Sequence, residues 1–370
     1  MPVYKDDNAK TNKWYYTINY KENGKYKKKL KRGFKTKKEA EAAMVEAQDA
    51  LNKGNYIEPS KELYKDFMNT WLNDKKTNIQ ESTFSNYKYL VEKHILPVLG
   101  DIELRKITPR DIQSLYNNLK DQISDENIRK IHTVIKDSLN RAAKWEMILK
   151  NPATLVDAPK VSKKEIEVWD EEEIKMFLEA SKDSRYYCAF LLALTTGMRQ
   201  GEILGLRWKD IDVDNQTISV VQTLSHSGKK LKAGAKTDAG NRKISIDSNT
   251  LEQILKLRTK YKQEMLANRP IYEDHDLVIR TSVGTPLSPR NLLRSFYSLI
   301  KKAEVKPIRF HDLRHTHASL LLKQGVNPKI VSERLGHANV RITLDTYSHL
   351  LPNLQKETAE QFGKLFYNSN

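Results

Sequence analysis

The feature that most constrains the fold is a helical repeat of apolar residues through the middle of the chain, from Ser60 to about Asn151. Leu63, Phe67 and Trp71 follow one another at intervals of four residues. A later stripe with mixed intervals of three and four consists of Ile128, Ile131, Ile135 and Leu139. Such spacing places apolar side chains on one face of a helix. The pattern predicts a compact all-α domain over residues 61–155, with these stripes in its core.

Two polar breaks bound this region, at residues 55–60 and 151–164. A chain of 370 residues is long enough for two or three domains. We therefore predict three domains, over residues 1–57, 61–155 and 165–370.

The first domain is predicted to be a small α+β unit, a three-stranded sheet with one helix. Residues 14–20 are rich in aromatic and β-branched side chains, and Asn23-Gly24 is a strong hairpin signal before residues 26–31. Thr36, followed three residues later by Glu39, predicts a capping box and a helix that continues to about Leu51.

The chain is strongly basic. Lys and Arg total 64 against 47 Asp and Glu, a formal charge of +17, and ten of the eighteen residues in 21–38 are basic. Basic side chains alternating with aromatic ones on a short sheet favour DNA contact, and a solvated charged face is the alternative. The candidate DNA-binding residues are Lys27, Lys28, Lys29, Lys31 and Arg32.

Several classes of protein are disfavoured. The longest apolar run, residues 187–194, is far shorter than the ~20 residues of a membrane span, and the first ten residues lack the apolar core of a signal peptide. The single cysteine, Cys188, excludes a disulfide framework, and no Gly-rich phosphate loop is present. We expect a cytoplasmic, DNA-associated protein that uses no cofactor or metal.

The third domain is predicted to be mixed and mainly helical. Helices are expected over residues 170–181 and 185–196, a small antiparallel sheet within 217–246, and further helices from Thr250. Gly197 suits the C-cap of the second helix, so the turn projects Arg199 from the end of a rigid element. Glu202, three residues later, is placed to orient that guanidinium.

His311 and Arg314 form an H-x-x-R pair on one helical face. The segment His311-Asp312-Leu313-Arg314-His315 also resembles a zinc-binding helix, but Asp is shorter than the usual Glu and Arg314 would repel a dication. A phosphate clamp is the favoured interpretation, because a guanidinium matches two phosphate oxygens and His exchanges a proton near neutral pH.

Near the end of the sequence, Leu335-Gly336-His337 precedes Tyr347 by ten residues. A lone tyrosine beside a histidine is usually a core residue with a satisfied hydroxyl. Tyr347 is a candidate nucleophile only if the two arginines share its pocket.

Taken in order, T-G-x-R-x-x-E at 196–202, H-x-x-R at 311–314, L-G-H at 335–337 and the final Tyr347 resemble the tyrosine recombinase family of the phage-integrase type. The resemblance extends over essentially the whole chain. It implies an arm-site DNA-binding domain at 1–57, a helical core-site-binding domain at 61–155 and a catalytic domain at 165–370.

The resemblance also implies roles. Arg199 and Arg314 would clamp the scissile phosphate, with Glu202 supporting Arg199. His311 would accept a proton or donate a hydrogen bond, and His337 would bond a nonbridging oxygen. Tyr347 would attack phosphorus to give a 3′-phosphotyrosine. The general acid would be Lys236, and its rivals are Lys229, Lys230, Lys232 and Lys243.

The function implied is that of a site-specific DNA recombinase, an integrase that inserts and excises a mobile element or prophage. Its partners would be double-stranded DNA with core and arm sites, further copies in a homotetramer on paired sites, and an accessory DNA-bending or excision protein. The alternatives are a type IB topoisomerase-like enzyme and a DNA-binding regulator without catalysis.

Overall fold

The computed structural model describes residues 3–9, 11–22, 25–52, 60–161, 166–234, 240–347, 359, 360, 362–364 and 366, with the backbone alone for 20–22, 25–27, 50 and 52. The chain divides into two compact units, Met1–Lys163 and Lys164–Asn370. The boundary falls inside the second polar break. The division into three domains remains a prediction.

The first unit begins with an antiparallel three-stranded sheet in the order β1-β2-β3, followed by a helix. The elements are β1 (Val3–Lys5), β2 (Trp14–Glu22), β3 (Lys25–Phe34) and α1 (Lys37–Asn52). Tyr16 and Ile18 of β2 are buried together with Ala40 of α1. Glu39 N donates to Thr36 Oγ1 at 3.2 Å, so the predicted capping box is confirmed. Asn23 and Gly24 lie outside the described residues.

Helices follow in the first unit, and they match the predicted all-α region. They are α2 (Tyr64–Asn78), α3 (Glu81–Leu90), α4 (Leu96–Leu99), α5 (Pro109–Leu119) and α6 (Asp125–Lys144), with a π-helical turn at Val91–Ile95 and 3-10 turns at Leu104–Lys106 and Pro152–Leu155. The predicted core residues Phe67, Trp71 and Ile131 are buried. Thr108 caps α5 with a full capping box.

The second unit is mainly helical, as predicted. Its helices are α7 (Glu171–Ser181), α8 (Tyr187–Thr196), α9 (Gln200–Gly205), α10 (Ser248–Ala267), α11 (Pro289–Ala303), α12 (Asp312–Lys323), α13 (Pro328–Leu335) and α14 (Val340–Tyr347), with 3-10 turns at Trp208–Asp210 and Arg269–Ile271. Helix α8 is apolar on all sides and almost wholly buried, which is typical of a central helix. Phe190 of α8 packs against Phe177, Phe296 and Phe310.

The strands of the second unit form two small antiparallel sheets where the sequence predicted one. A three-stranded sheet has the order β4-β5-β8, and a two-stranded sheet pairs β6 with β7. Their bounds are β4 (Ile211–Asp212), β5 (Thr217–Val220), β6 (Gln222–Leu224), β7 (Leu231–Ala233) and β8 (Arg242–Ser245). The described helices include none that is long and apolar enough to cross a membrane.

Candidate active site

The turn between α8 and α9 places Arg199. Helix α8 ends at Gly197, whose φ of +66° lies in the left-handed region. A Cβ at this position would lie 2.7 Å from Leu335 Cδ2 and 2.8 Å from His317 Cδ2, so the close packing of α8 on α12 and α13 requires glycine. The chain then turns, and Arg199 becomes the N-cap residue of α9.

Glu202 is hydrogen-bonded to Arg199 and to a second arginine. Glu202 Oε1 accepts from Arg199 Nη1 at 2.8 Å, and Oε2 accepts from Arg199 N at 2.9 Å. Arg242 of β8 donates to both oxygens, at 3.2 and 2.8 Å. Burial by itself raises the pKa of Glu202, but the hydrogen bonds and charges of Arg242 and Arg199 outweigh it, so the net pKa is lowered and the carboxylate stays ionised.

Arg314 of α12 is buried, with 3% of its surface exposed. Its Nη1 donates to Gly197 O at 2.7 Å, and its Nη2 donates to Leu335 O at 2.6 Å. Arg199 Nη2 lies 3.5 Å from the next carbonyl, Gly336 O. Two arginines that are 115 positions apart in the sequence therefore meet at one turn, the end of α13.

The pocket around these groups is positively charged. The charges that act on Arg314 are those of the Arg199 and Arg242 guanidiniums and of the Glu202 carboxylate, so one carboxylate is present for three guanidiniums. Burial first, and then the charge of Arg199, lowers the pKa of Arg314 to about 9. Burial and like charge destabilise the protonated form of this guanidinium. An anion bound beside it would therefore stabilise it.

His337 follows directly on the turn that both arginines contact. Its Nδ1 lies 2.8 Å from Thr343 Oγ1, which is fully buried in α14 and fixes the ring. Burial and the charges of Arg314 and Arg199 lower the pKa of His337 to about 4. The ring is therefore neutral at pH 7, and its Nε2 is free to carry the proton and donate.

Tyr347, the last residue of α14, is 1% exposed. Its ring packs with Ala318, Leu322 and Leu335. Its hydroxyl lies 2.5 Å from His315 Nδ1. Burial raises the pKa of the hydroxyl to about 12, and the positive charge of Arg314 acts in the opposite direction. At neutral pH the group is a phenol, so it needs a proton acceptor before it can act as a nucleophile.

His311 is the N-cap residue of α12 and is exposed, and its ring centroid lies 5.1 Å from that of His315. Desolvation on its protein-facing side, followed by the charges of Arg314 and Arg199, lowers its pKa. Throughout the described ranges, no three His, Cys, Asp or Glu side chains lie together as a potential metal site.

Sequence reasoning missed three side chains that build this site: His315, Arg242 and Arg334. Arg334 of α13 donates to Thr195 O at 2.8 Å, to Ser245 O at 2.9 Å and to His317 Nε2 at 3.0 Å. It thereby ties α13 to α8, β8 and α12. No local motif marks these contacts, because each joins residues at least 17 positions apart.

The structure does not describe one predicted catalytic residue and one predicted DNA-binding side chain. Lys236 lies outside the described residues, as does the Lys27 side chain. Strand register separates the other basic residues of β3, because directly opposed residues share a face. Lys29 and Lys31 lie opposite the buried Ile18 and Tyr16. Lys28 and Arg32 lie on the other face, where Arg32 pairs with Asp6 at 3.4 Å.

Comparison with known families gives matches along most of the chain. Residues 167–353 match the phage integrase family, residues 63–120 match the phage integrase N-terminal SAM-like domain, and residues 2–51 match an arm DNA-binding domain.

Individual relatives agree with these matches. A XerC-like tyrosine recombinase of Caldanaerobacter subterraneus subsp. tengcongensis is 32% identical over 98% of this chain and 99% of its own length. The ICEBs1 integrase of Bacillus subtilis is 32% identical over 76% of this chain and 77% of its own.

Solved structures show the same fold at lower identity. The Tn1549 transposon integrase in complex with transposon right end DNA has a TM-score of 0.68 at 22% identity, covering 82% of this chain and all of that one. A lambda integrase tetramer bound to a Holliday junction has a TM-score of 0.58 at 20% identity, covering 92% and 96%. The chain therefore belongs to the phage integrase family and is a site-specific tyrosine recombinase.

Proposed function

We propose that this recombinase integrates and excises a mobile element or prophage by cleaving and rejoining DNA strands through a 3′-phosphotyrosine at Tyr347. The observation that carries the proposal is the meeting of Arg199 and Arg314 at the turn before His337. The hydroxyl of Tyr347 is held by His315, the residue next to Arg314.

Arg199 and Arg314 would bind the scissile phosphate. The phosphodiester carries one negative charge and gains a second as the nucleophile adds, which suits a pocket with three guanidiniums and one carboxylate. Glu202 would keep Arg199 in position. His337 and His311 would donate to the nonbridging oxygens, because each ring has a nitrogen that can carry a proton.

Tyr347 would attack phosphorus and release a 5′-hydroxyl, whose proton Lys236 would supply. The phosphotyrosine keeps the free energy of the broken bond, so rejoining needs no ATP. Arginine and lysine would supply the charge neutralisation that Mg²⁺ gives in kinases.

The remaining parts of the chain would bind and assemble on DNA. Residues 1–57 would contact arm sites through Lys27, Lys28, Lys29, Lys31 and Arg32, and residues 61–155 would contact core sites. A homotetramer on paired sites is supported by the fold shared with the lambda integrase tetramer. An accessory DNA-bending or excision protein would complete the assembly, inside the cytoplasm.

The test is a nicked duplex that carries the candidate core site, incubated with the protein without Mg²⁺ or ATP. Loss of the short fragment beyond the nick traps the intermediate, so we expect a DNA–protein adduct on a denaturing gel and its mapping to Tyr347. Tyr347→Phe should bind the duplex with unchanged affinity and form no adduct.

The matched control is Tyr261→Phe. Tyr261 is also buried in the second unit, and Arg280 lies 4.0 Å from its ring, but its environment includes none of the candidate catalytic groups. This variant should form the adduct at the wild-type rate. An adduct formed by Tyr347→Phe would show that another residue is the nucleophile.

A further inference from the structure

We infer that His315, rather than His311, accepts the proton of the Tyr347 hydroxyl during strand cleavage. The inference rests on the proposed function, since it assigns the base for the same nucleophile. Among the described residues, His315 is the hydrogen-bond partner of this hydroxyl, with 2.5 Å between Nδ1 and Oη.

The geometry of the two rings supports a proton transfer. The His315 and Tyr347 ring centroids are 5.6 Å apart, and the Tyr347 ring is held by its apolar contacts. The acceptor is therefore in place before DNA arrives, within the direct hydrogen-bond reach that a general base requires. His311 has no described contact with the hydroxyl, and its ring meets that of His315 edge-on at 5.1 Å.

The protonation state of His315 is suitable for this role. Burial, followed by the charge of His311, lowers its pKa to about 4, so the ring is a neutral acceptor at pH 7. The titratable and charged groups facing it are His311, Asp312, Arg309 and Arg314 around α12, His337 after α13, and Tyr347 of α14. Asp312, which is 3% exposed, raises the pKa and would stabilise the imidazolium that forms.

The bond between Tyr347 Oη and phosphorus forms while the bond from phosphorus to the 5′ oxygen breaks. The hydroxyl proton passes to His315 Nδ1, and the leaving oxygen receives a proton from the general acid proposed above, Lys236. Rejoining reverses both transfers. His311 is then available to hydrogen-bond the phosphate together with Arg199 and Arg314.

The experiment measures single-turnover adduct formation from pH 6 to 9 for the wild type, His315→Asn, His311→Asn and Tyr347→Phe. Asn places an oxygen near the position of Nδ1, so it can accept the hydrogen bond but not the proton. We expect His315→Asn to be about 10²- to 10³-fold slower at pH 7. Its rate should rise with pH as the phenol ionises, while the wild-type rate stays nearly flat.

A second substrate separates this effect from protonation of the leaving group. With sulfur in place of the bridging 5′ oxygen, the leaving group needs no acid, so a Lys236→Ala variant should recover and His315→Asn should remain slow. The matched control is His132→Asn, because His132 Nδ1 also contacts a tyrosine hydroxyl, that of Tyr116 at 3.0 Å, in the buried core of the first unit. It should react at the wild-type rate.

Each outcome is decisive. A wild-type rate and pH profile in His315→Asn, or the new pH slope in His311→Asn instead, would overturn the assignment of His315 and leave the nucleophile intact. An adduct in Tyr347→Phe would overturn the proposed function itself. If His315→Asn does not fold, ¹⁵N NMR of the wild type decides, because a proton on His315 Nδ1 in place of a bare nitrogen contradicts the inference.

Discussion

Among the residues that the structure describes, two buried tyrosine hydroxyls contact a histidine Nδ1, one in each unit. In the first unit Tyr116 of α5 contacts His132 Nδ1 of α6 at 3.0 Å, and in the second Tyr347 of α14 contacts His315 Nδ1 of α12 at 2.5 Å. Both tyrosines are at most 3% exposed, and burial raises the pKa of both hydroxyls. Each pair is therefore a buried phenol at hydrogen-bond distance from a histidine Nδ1.

The surroundings differ. The hydroxyl of Tyr116 has the Tyr64 hydroxyl as its electrostatic neighbour, which raises its pKa further. The hydroxyl of Tyr347 has Arg314, whose charge lowers its pKa, and Arg199 and Arg242 lie in the same charge environment. The pairing of a buried tyrosine hydroxyl with a histidine therefore does not by itself mark a reaction centre. The second pair is a candidate reaction centre because of the guanidinium cluster beside it, formed by Arg199, Arg242 and Arg314.

Replacing the guanidinium of Arg314 should have the largest effect on the second pair. Arg314→Lys retains the charge but cannot hold Gly197 O and Leu335 O while also presenting a planar fork to a phosphate. We expect adduct formation to fall by about 10³-fold, with DNA affinity nearly unchanged because many other phosphate contacts contribute. Single-turnover cleavage under saturating protein measures the effect.

The matched control is Arg280→Lys. Arg280 is also buried in the second unit and also donates to two backbone carbonyls, Tyr261 O and Thr281 O. This variant should lose stability and keep the wild-type rate of the chemical step. Equal losses of rate in both variants would mean that Arg314 acts only by supporting the fold.

The local parts of this architecture are predictable from sequence. Thr108 and Asp170 mark helix starts because capping depends on a few neighbouring residues, and their side chains cap α5 and α7. Gly197 marks the end of α8 for the same reason. Arg199 and Arg314 could be identified as candidates because their motifs have a recognisable spacing.

The parts that depend on long-range contacts are not predictable in this way. His315 stands in the H-D-L-R-H segment, but its partner Tyr347 lies 32 residues later, and only the packing of α14 on α12 joins them. In the sequence, Arg242 is one of many basic residues. Only the position of β8 brings it to Glu202, 40 positions away. The division of the strands into two sheets likewise depends on pairing between β5 and β8 across an intervening hairpin.

A smaller effect is expected in the pH dependence of stability. His317, near the charged pocket, donates from Nδ1 to Leu194 O and accepts at Nε2 from Arg334, so it must be neutral when folded. Burial and the charge of Arg334 lower its pKa to about 4, against about 6.5 when unfolded. Between these two pKa values the unfolded chain binds more protons than the folded one. The stabilisation due to neutral His317 is therefore complete above the unfolded pKa and is lost as the pH falls toward the folded pKa.

At about pH 5, the loss of free energy of unfolding due to His317 should be about 2 kcal/mol. Hydrogen exchange of the α8 amides between pH 7 and 5 measures it, after correction for the intrinsic exchange rate. The variant His317→Asn should be less stable at pH 7 but should show a shallower pH slope. An unchanged slope would mean that His317 is not kept neutral in the folded state.

The smallest expected effect belongs to the pair in the first unit, and it tests whether that pair only packs. Tyr116→Phe removes one hydrogen bond to His132 and keeps the ring. The free energy of unfolding of the first unit should therefore fall by about 1 kcal/mol. Tyr116 is buried, and the neighbouring group that acts on its hydroxyl is Tyr64 rather than a described guanidinium, so adduct formation at saturating protein should not change. Urea unfolding and single-turnover cleavage, run side by side, test both statements. A slower chemical step in this variant would mean that the two pairs are coupled, and that the guanidinium cluster alone does not distinguish them.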